Sequence, residues 1–246
     1  MRWIISLLFT SIALFAREPM PHNSESSFIK AQWHYENNAT TKEWGKHDAI
    51  CDLGKAQSPI NIISNKTVEL SKSFELEFHQ KNVYRADIID NGHSIKVTPR
   101  RKMYINVDKK RYLLLQFHYH GKSEHSIDGR FYDLVVHAVC QNQKTKELLV
   151  VGVFYTQGKK NVLLEKVLNN INHTITITKS MLPHKLEAYY HYIGSLTTPP
   201  CSENVNWYIL KAPLEASPQQ ITQMQKYYVN NYRPIQELNN RIIEMH

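Results

Sequence analysis

Residues 113–140 read LLLQFHYHGKSEHSIDGRFYDLVVHAVC. At the two-residue period of a strand, Gln116, His118 and His120 share one face, and Phe117 and Tyr119 share the other. A polar connector containing Gly121 and Gly129 follows. The β-branched, apolar run from Phe131 to Cys140 reads as a second strand, on which His137 shares a face with Val135 and Val139. If the two strands pair antiparallel, three imidazoles meet at one point, which is the donor set of a catalytic zinc site with one open position.

A rival metal reading stays open at this stage. The spacing His118-x-His120-x-x-x-Glu124, with a distant histidine, also resembles the first metal motif of a cupin, a jelly-roll protein. The chain has 13 His, so one H-x-H pair carries little by itself. The rest of the sequence has to decide.

Residues 1–16, MRWIISLLFTSIALFA, carry one Arg and then an apolar run with no acid. That is the pattern of a secretory signal peptide, cleaved after Ala16. The run is too short to span a bilayer comfortably, and no later run is long and apolar enough to do so. Residues 17–32 read as a flexible mature N-terminus, and residues 33–246 as one domain with a sizeable core. The formal charge of the whole chain is +8; removing the leader removes one Arg and no acid, leaving +7. The Lys and Arg are scattered rather than gathered in a stripe with aromatics, which argues for a solvated basic surface and against a nucleic-acid partner.

Export implies an oxidising compartment, the periplasm or the exterior, so one disulfide is expected among Cys51, Cys140 and Cys201. Cys140 lies in an apolar run beside the candidate metal strands and reads as buried and free. By elimination the pair is Cys51–Cys201.

Short strands with turns fill Phe74 to Leu115, with Asp90-Asn91-Gly92 as a turn and a strand leaving it from His93. His93 on its own is a lone exposed histidine with no special role. Glu147 to Tyr155 reads as a buried strand, and Asn161 to Ile171 as a helix with Val162, Leu163, Val167 and Leu168 on its apolar stripe. Ser217 and Pro218 start a second short helix. The polar tail from Asn230 onwards is expected to wrap back on the domain.

Seven motifs, in order, then resemble one family: QSPINI at 57–62, NGHS at 91–94, QFHYH at 116–120, SEH at 123–125, GSLTTPP at 194–200, VNWYIL at 205–210 and NYRP at 231–234. The chain resembles the α-class carbonic anhydrases of the bacterial, exported type, and the cupin reading gives way. The resemblance implies an α+β, mainly β domain: a central, largely antiparallel twisted sheet of about ten strands with a few short peripheral helices. A conical cleft would reach down to the sheet.

By the same resemblance, His118, His120 and His137 hold Zn²⁺, and zinc-bound hydroxide attacks CO₂ to give bicarbonate and a proton. Thr197 accepts a hydrogen bond from the hydroxide and donates its own to Glu124, which orients the hydroxide, and Thr198 touches bicarbonate. Val139, Val150, Leu196, Val205 and Trp207 form the apolar wall for CO₂. His93 exports the proton, reversing its reading as an idle histidine, and Tyr35 and Asn91 order the relay waters. Gln116, His125, Asn231 and Arg233 stand behind the ligands. The only partner implied is the small-molecule substrate, and a homodimer is left open. Three positions depart from the family pattern: Val135 stands where an acid usually accepts the third ligand's other N–H, Cys140 where His is usual, and His34 where Gly is usual.

Overall fold

The computed structural model describes Trp33, Tyr35 and residues 43–70, 76–79, 83–107, 109–183, 186 and 188–246. The expected leader, the flexible N-terminus and His34 lie outside the described residues. Those from Trp33 onwards belong to one compact unit, Ala31–His246.

The centre of that unit is the strand Leu148–Gln157, whose residues from Leu149 to Tyr155 are all buried. A continuous run of Val, Leu and aromatic side chains suits a strand covered on both faces, and each such burial is worth about 1.5–3 kcal/mol. On one side it pairs antiparallel with Leu134–Gln141, and that strand pairs antiparallel with Lys110–His120. On the other side it runs parallel to Glu203–Leu210, which pairs antiparallel with Tyr189–Ser195. Outer strands extend this into a mixed sheet with 13 described strands, ten of them on one unbroken path. A separate two-stranded piece joins Asn61–Ile62 to Ser126–Ile127. The expected sheet of roughly ten strands, mostly antiparallel, is therefore present.

Side-chain alternation gives each face its own apolar layer. Tyr112, Leu114, Phe117, Tyr119, Val136, Val151 and Val153 belong to the larger cluster, and Val135, Val150, Tyr192, Val205 and Trp207 to the smaller one. Tyr112 and Leu114 are even-numbered while Phe117 and Tyr119 are odd, yet all four share one layer. A bulge between Leu114 and Gln116 accounts for this by adding one residue to the strand.

The described helices are short and peripheral. The helix Val162–Leu168 is capped by the Asn161 side chain, which accepts from the Leu164 N–H; Asn169 ends it three residues before the expected Ile171 boundary. The helix Pro218–Tyr227 starts as predicted, with Ser217 and Gln220 in a reciprocal capping box. Helical turns at Trp44–His47 and Ile50–Leu53 carry too little periodicity to be read from sequence. The second metal strand begins at Leu134 rather than Phe131.

The tail does wrap back. The Gln236 N–H donates to the Pro59 carbonyl at 2.8 Å, and the Arg241 guanidinium to the Gln57 carbonyl at 2.8 Å. Cys51 and Cys201 are bonded across 150 residues, and Cys140 is free and buried. Closing so long a loop stabilises by up to about 5 kcal/mol in the chain-entropy model. Replacing both Cys51 and Cys201 by Ser should lower the unfolding free energy by about 2–5 kcal/mol, read from urea melts. A midpoint unchanged from wild type would show that the bridge contributes nothing to stability.

Candidate metal centre and its cleft

The three candidate ligands stand on the two adjacent strands Lys110–His120 and Leu134–Gln141. His118 pairs directly opposite His137, and His120 opposite Val135. Opposed residues of an antiparallel pair project to the same face, so the three rings meet there. Their centroids are 4.7–5.5 Å apart, and one ring nitrogen from each lies within 4.8 Å of the others.

Hydrogen bonds decide which nitrogen faces inward. Nδ1 of His118 lies 2.9 Å from Gln116 Oε1, and Nδ1 of His120 lies 2.5 Å from the Asn231 carbonyl oxygen. Their Nε2 atoms remain for a metal. Nε2 of His120 and Nδ1 of His137 both lie 3.6 Å from Glu124 Oε2, so Nδ1 is the inward atom of His137. Burial, reinforced by the neighbouring imidazoles, holds His118 and His137 well below the usual histidine range. Neutral imidazoles present lone pairs, as ligation requires. The inward Nε2 of His120 is buried with no hydrogen-bond partner among the described residues. Three converging imidazole nitrogens, with such an orphaned atom among them, fit a d¹⁰ ion in a tetrahedral site with one position left open.

Glu124 is fully buried beside these rings. Its Oε1 accepts from the Arg233 backbone N–H at 2.8 Å, and the Thr197 hydroxyl hydrogen-bonds the carboxylate. Burial pushes its carboxyl up, opposed by His120, Thr197 and Arg233. The Arg233 guanidinium donates to Gln57 Oε1, the Ser58 carbonyl and the Cys51 carbonyl at 2.6–2.9 Å. Gln57 in turn donates to the Cys201 carbonyl at 3.1 Å. Arg233 thus ties Glu124 to the disulfide, in a planar fork that Lys cannot reproduce.

His125 is a buried partner rather than a fourth ligand. Its Nε2 lies 2.6 Å from the Tyr192 hydroxyl, which lies 2.7 Å from Ser58 Oγ. Burial pushes its pKa down to about 3, so it stays neutral. Val150, Val205 and Trp207 are buried in one apolar cluster, with Val139 and Leu196 packed against it. The Trp207 indole N–H donates to the Ser195 carbonyl at 2.9 Å.

The open side is a cleft of about 410 Å³, lined by Tyr35, Asn91, His93, His118, His120 and Thr198 together with Trp33, Ser94, Lys96 and Gln116. Residues far apart in sequence are therefore gathered as expected. The His93 ring stacks on Trp33 with centroids 3.9 Å apart. Asn91 Oδ1 accepts from the backbone N–H groups of His93 and Ser94, so that oxygen fixes the turn and leaves the amide for the cleft. Asn231 does more than offer its carbonyl to His120: its side-chain amide donates to the His93 and Tyr119 carbonyls, and its Oδ1 accepts from Gly121 N–H. Sequence reasoning missed Trp33 as the His93 platform, and Lys96, which pairs opposite His118. Neither carries a signal of its own, because a Trp in irregular chain and a Lys within a strand read as packing and solvated charge.

The family model described as eukaryotic-type carbonic anhydrase matches residues 39–246. A carbonic anhydrase of Pectobacterium carotovorum is 35% identical over 237 residues, covering 89% of this chain and 93% of that protein. One of Nostoc sp. is 33% identical over 224 residues, covering 86% of this chain and 84% of that protein. The solved α-carbonic anhydrase of Thermovibrio ammonificans, in complex with the inhibitor sulfanilamide, superposes with a TM-score of 0.77 at 36% identity, covering 86% of this chain and 98% of that one.

Replacing His118, His120 or His137 by Ala should abolish stoichiometric binding of Co²⁺, followed by its visible absorption, while His191→Ala should leave it intact. A site variant that keeps the full cobalt spectrum would remove that residue from the ligand set.

Proposed function

The chain belongs to the eukaryotic-type (α) carbonic anhydrase family and is a carbonic anhydrase, and from that premise we propose that it hydrates CO₂ reversibly on Zn²⁺ held by His118, His120 and His137. The observation that carries the proposal is the convergence of three imidazole nitrogens, two of them from residues that line the cleft. Zinc, when bound, acidifies a water to a pKa of about 7 and so supplies a nucleophile at neutral pH.

The remaining steps belong to the chain's own residues. Glu124 accepts the Thr197 hydroxyl hydrogen, which leaves Thr197 Oγ1 as an acceptor. That acceptor fixes which lone pair of the nucleophile faces CO₂, a matter of orientation rather than proton transfer. The Thr197 N–H serves the developing oxyanion, and Thr198, at the cleft wall, contacts bicarbonate. Val139, Val150, Leu196, Val205 and Trp207 present an apolar surface on which CO₂ rests without displacing its competitor water by any hydrogen bond.

A proton must leave after each turnover. His93 takes it: an imidazole is the side chain suited to accept and release a proton near neutrality. The Tyr35 side chain and the Asn91 amide line the water-filled path between His93 and the metal ligands. Exported location, in the periplasm or outside the cell, is part of the same proposal, supported by the disulfide. No described helix is long and apolar enough to cross a membrane.

Two measurements test this reading. Stopped-flow CO₂ hydration should follow zinc content up to one ion per chain and vanish on chelation; activity that persists in zinc-free protein would sink it. His93→Ala should lower kcat about 10²-fold or more and leave kcat/KM nearly unchanged, with added imidazole restoring part of the loss. An unaltered kcat in dilute buffer would take the proton route away from His93.

A further inference from the structure

We propose that His137 is the unanchored ligand of the metal site, and that residue 135 governs how long the site keeps its metal. The proposal rests on the zinc reading above and asks which protein group limits retention.

Compare the three ligands from behind. Gln116 precedes His118 by two residues on the same strand face, and its Oε1 meets the rear nitrogen at 2.9 Å. The rear nitrogen of His120 meets the Asn231 carbonyl at 2.5 Å. On the adjacent strand the same two-residue spacing sets Val135 before His137. Val135 is 0% exposed and offers no polar atom. The rear atom of His137, Nε2, is buried and has no hydrogen-bond partner among the described residues.

His125 shows that the deficit is shared. Its ring lies 6.1 Å from that of His137, its Nε2 is taken up by the Tyr192 hydroxyl, and its Nδ1 is likewise buried without a partner among the described residues. Two neighbouring imidazoles each leave one nitrogen unserved. An amide or carboxylate at position 135 would have the polarity, and by its two-residue spacing the strand position, to serve His137 as Gln116 serves His118. In its place stands a side chain of the apolar cluster that also holds Val150 and Trp207.

A rear partner fixes the ring's rotation and tautomer and raises its basicity. Packing against the Trp207 ring, 4.9 Å away and edge-on, restrains the ring of His137 but cannot accept its proton. Loss of such a partner costs about 10–100-fold in metal affinity or activity. Release of the ion therefore begins at His137.

The test measures zinc release from the holoprotein to excess colorimetric chelator, for wild type, Val135→Gln and Val135→Met. Gln and Met are of similar length, so packing changes are shared and only the hydrogen bond differs. Val135→Gln should release zinc about 10–100-fold more slowly than both other proteins. Equal or faster release from the Gln variant, with zinc loaded one per chain and the disulfide intact, overturns the proposal.

A second measurement needs no variant. In isotope-labelled zinc protein, the rear N–H protons of His118 and His120 should resonate downfield and exchange slowly with solvent, and that of His137 should resonate upfield of both. A His137 proton as far downfield and as protected as the others overturns the proposal and leaves the zinc reading intact. Failure of wild type to take up zinc at all overturns both.

Discussion

The register between the strands Lys110–His120 and Leu134–Gln141 is the constraint on which the metal site depends. Leu114 faces Cys140, but beyond the bulge Gln116 faces Val139, so His118 comes to face His137. Were the register to run on unshifted past Leu114, His118 would face Val136 and His137 would point to the opposite layer, because a slip of one residue exchanges the two faces of a strand. The same insertion lets Tyr112 and Leu114 share a layer with Phe117 and Tyr119. One irregularity thus reconciles a continuous apolar core with a polar triad on the other face. The rings are held by backbone pairing on two paired strands, which positions a site more firmly than a loop does.

A second layer of order comes from groups that cannot be left unpaired. Glu124 and Arg233 are both buried, and burying charge is costly unless each lone pair and N–H finds a partner. Arg233 meets that demand with carbonyls of Cys51 and Ser58 and with Gln57, while its own backbone N–H serves Glu124. The C-terminal tail is therefore structural to the site despite its polarity. The disulfide adds to this frame from the other side: the Cys201 N–H donates to the Thr198 carbonyl at 2.8 Å, which steadies the loop carrying Thr197 and Thr198.

The cleft divides its labour by polarity. Behind the ligands lies the apolar cluster of Val150, Val205 and Trp207, while the cleft itself carries His93, Asn91, Tyr35 and Lys96. Burial holds His118 and His137 well below the usual histidine range, which favours the lone-pair form that a cation needs. Asn231 joins the two functions, since one residue fixes both the rear of His120 and the backbone of His93.

The sequence by itself determined the chemistry-bearing residue types and most of the strands. The alternation in Gln116–His120 and the β-branched run ending at Cys140 carry their own periodicity, and the apolar run around Cys140 leaves Cys51 and Cys201 as the pair once a disulfide is expected. Caps such as Ser217 and Gln220 are legible because they act locally. The roles proposed for Glu124, Thr197 and His93 come only from family resemblance, since a single carboxylate, hydroxyl or turn histidine has no signature. Only the tertiary structure decided the register at Leu115, the stacking of His93 on Trp33 and the pairing of Arg233 with groups 175–182 residues away. These are contacts between distant segments, and side-chain periodicity within one segment says nothing about which residue of another will face it.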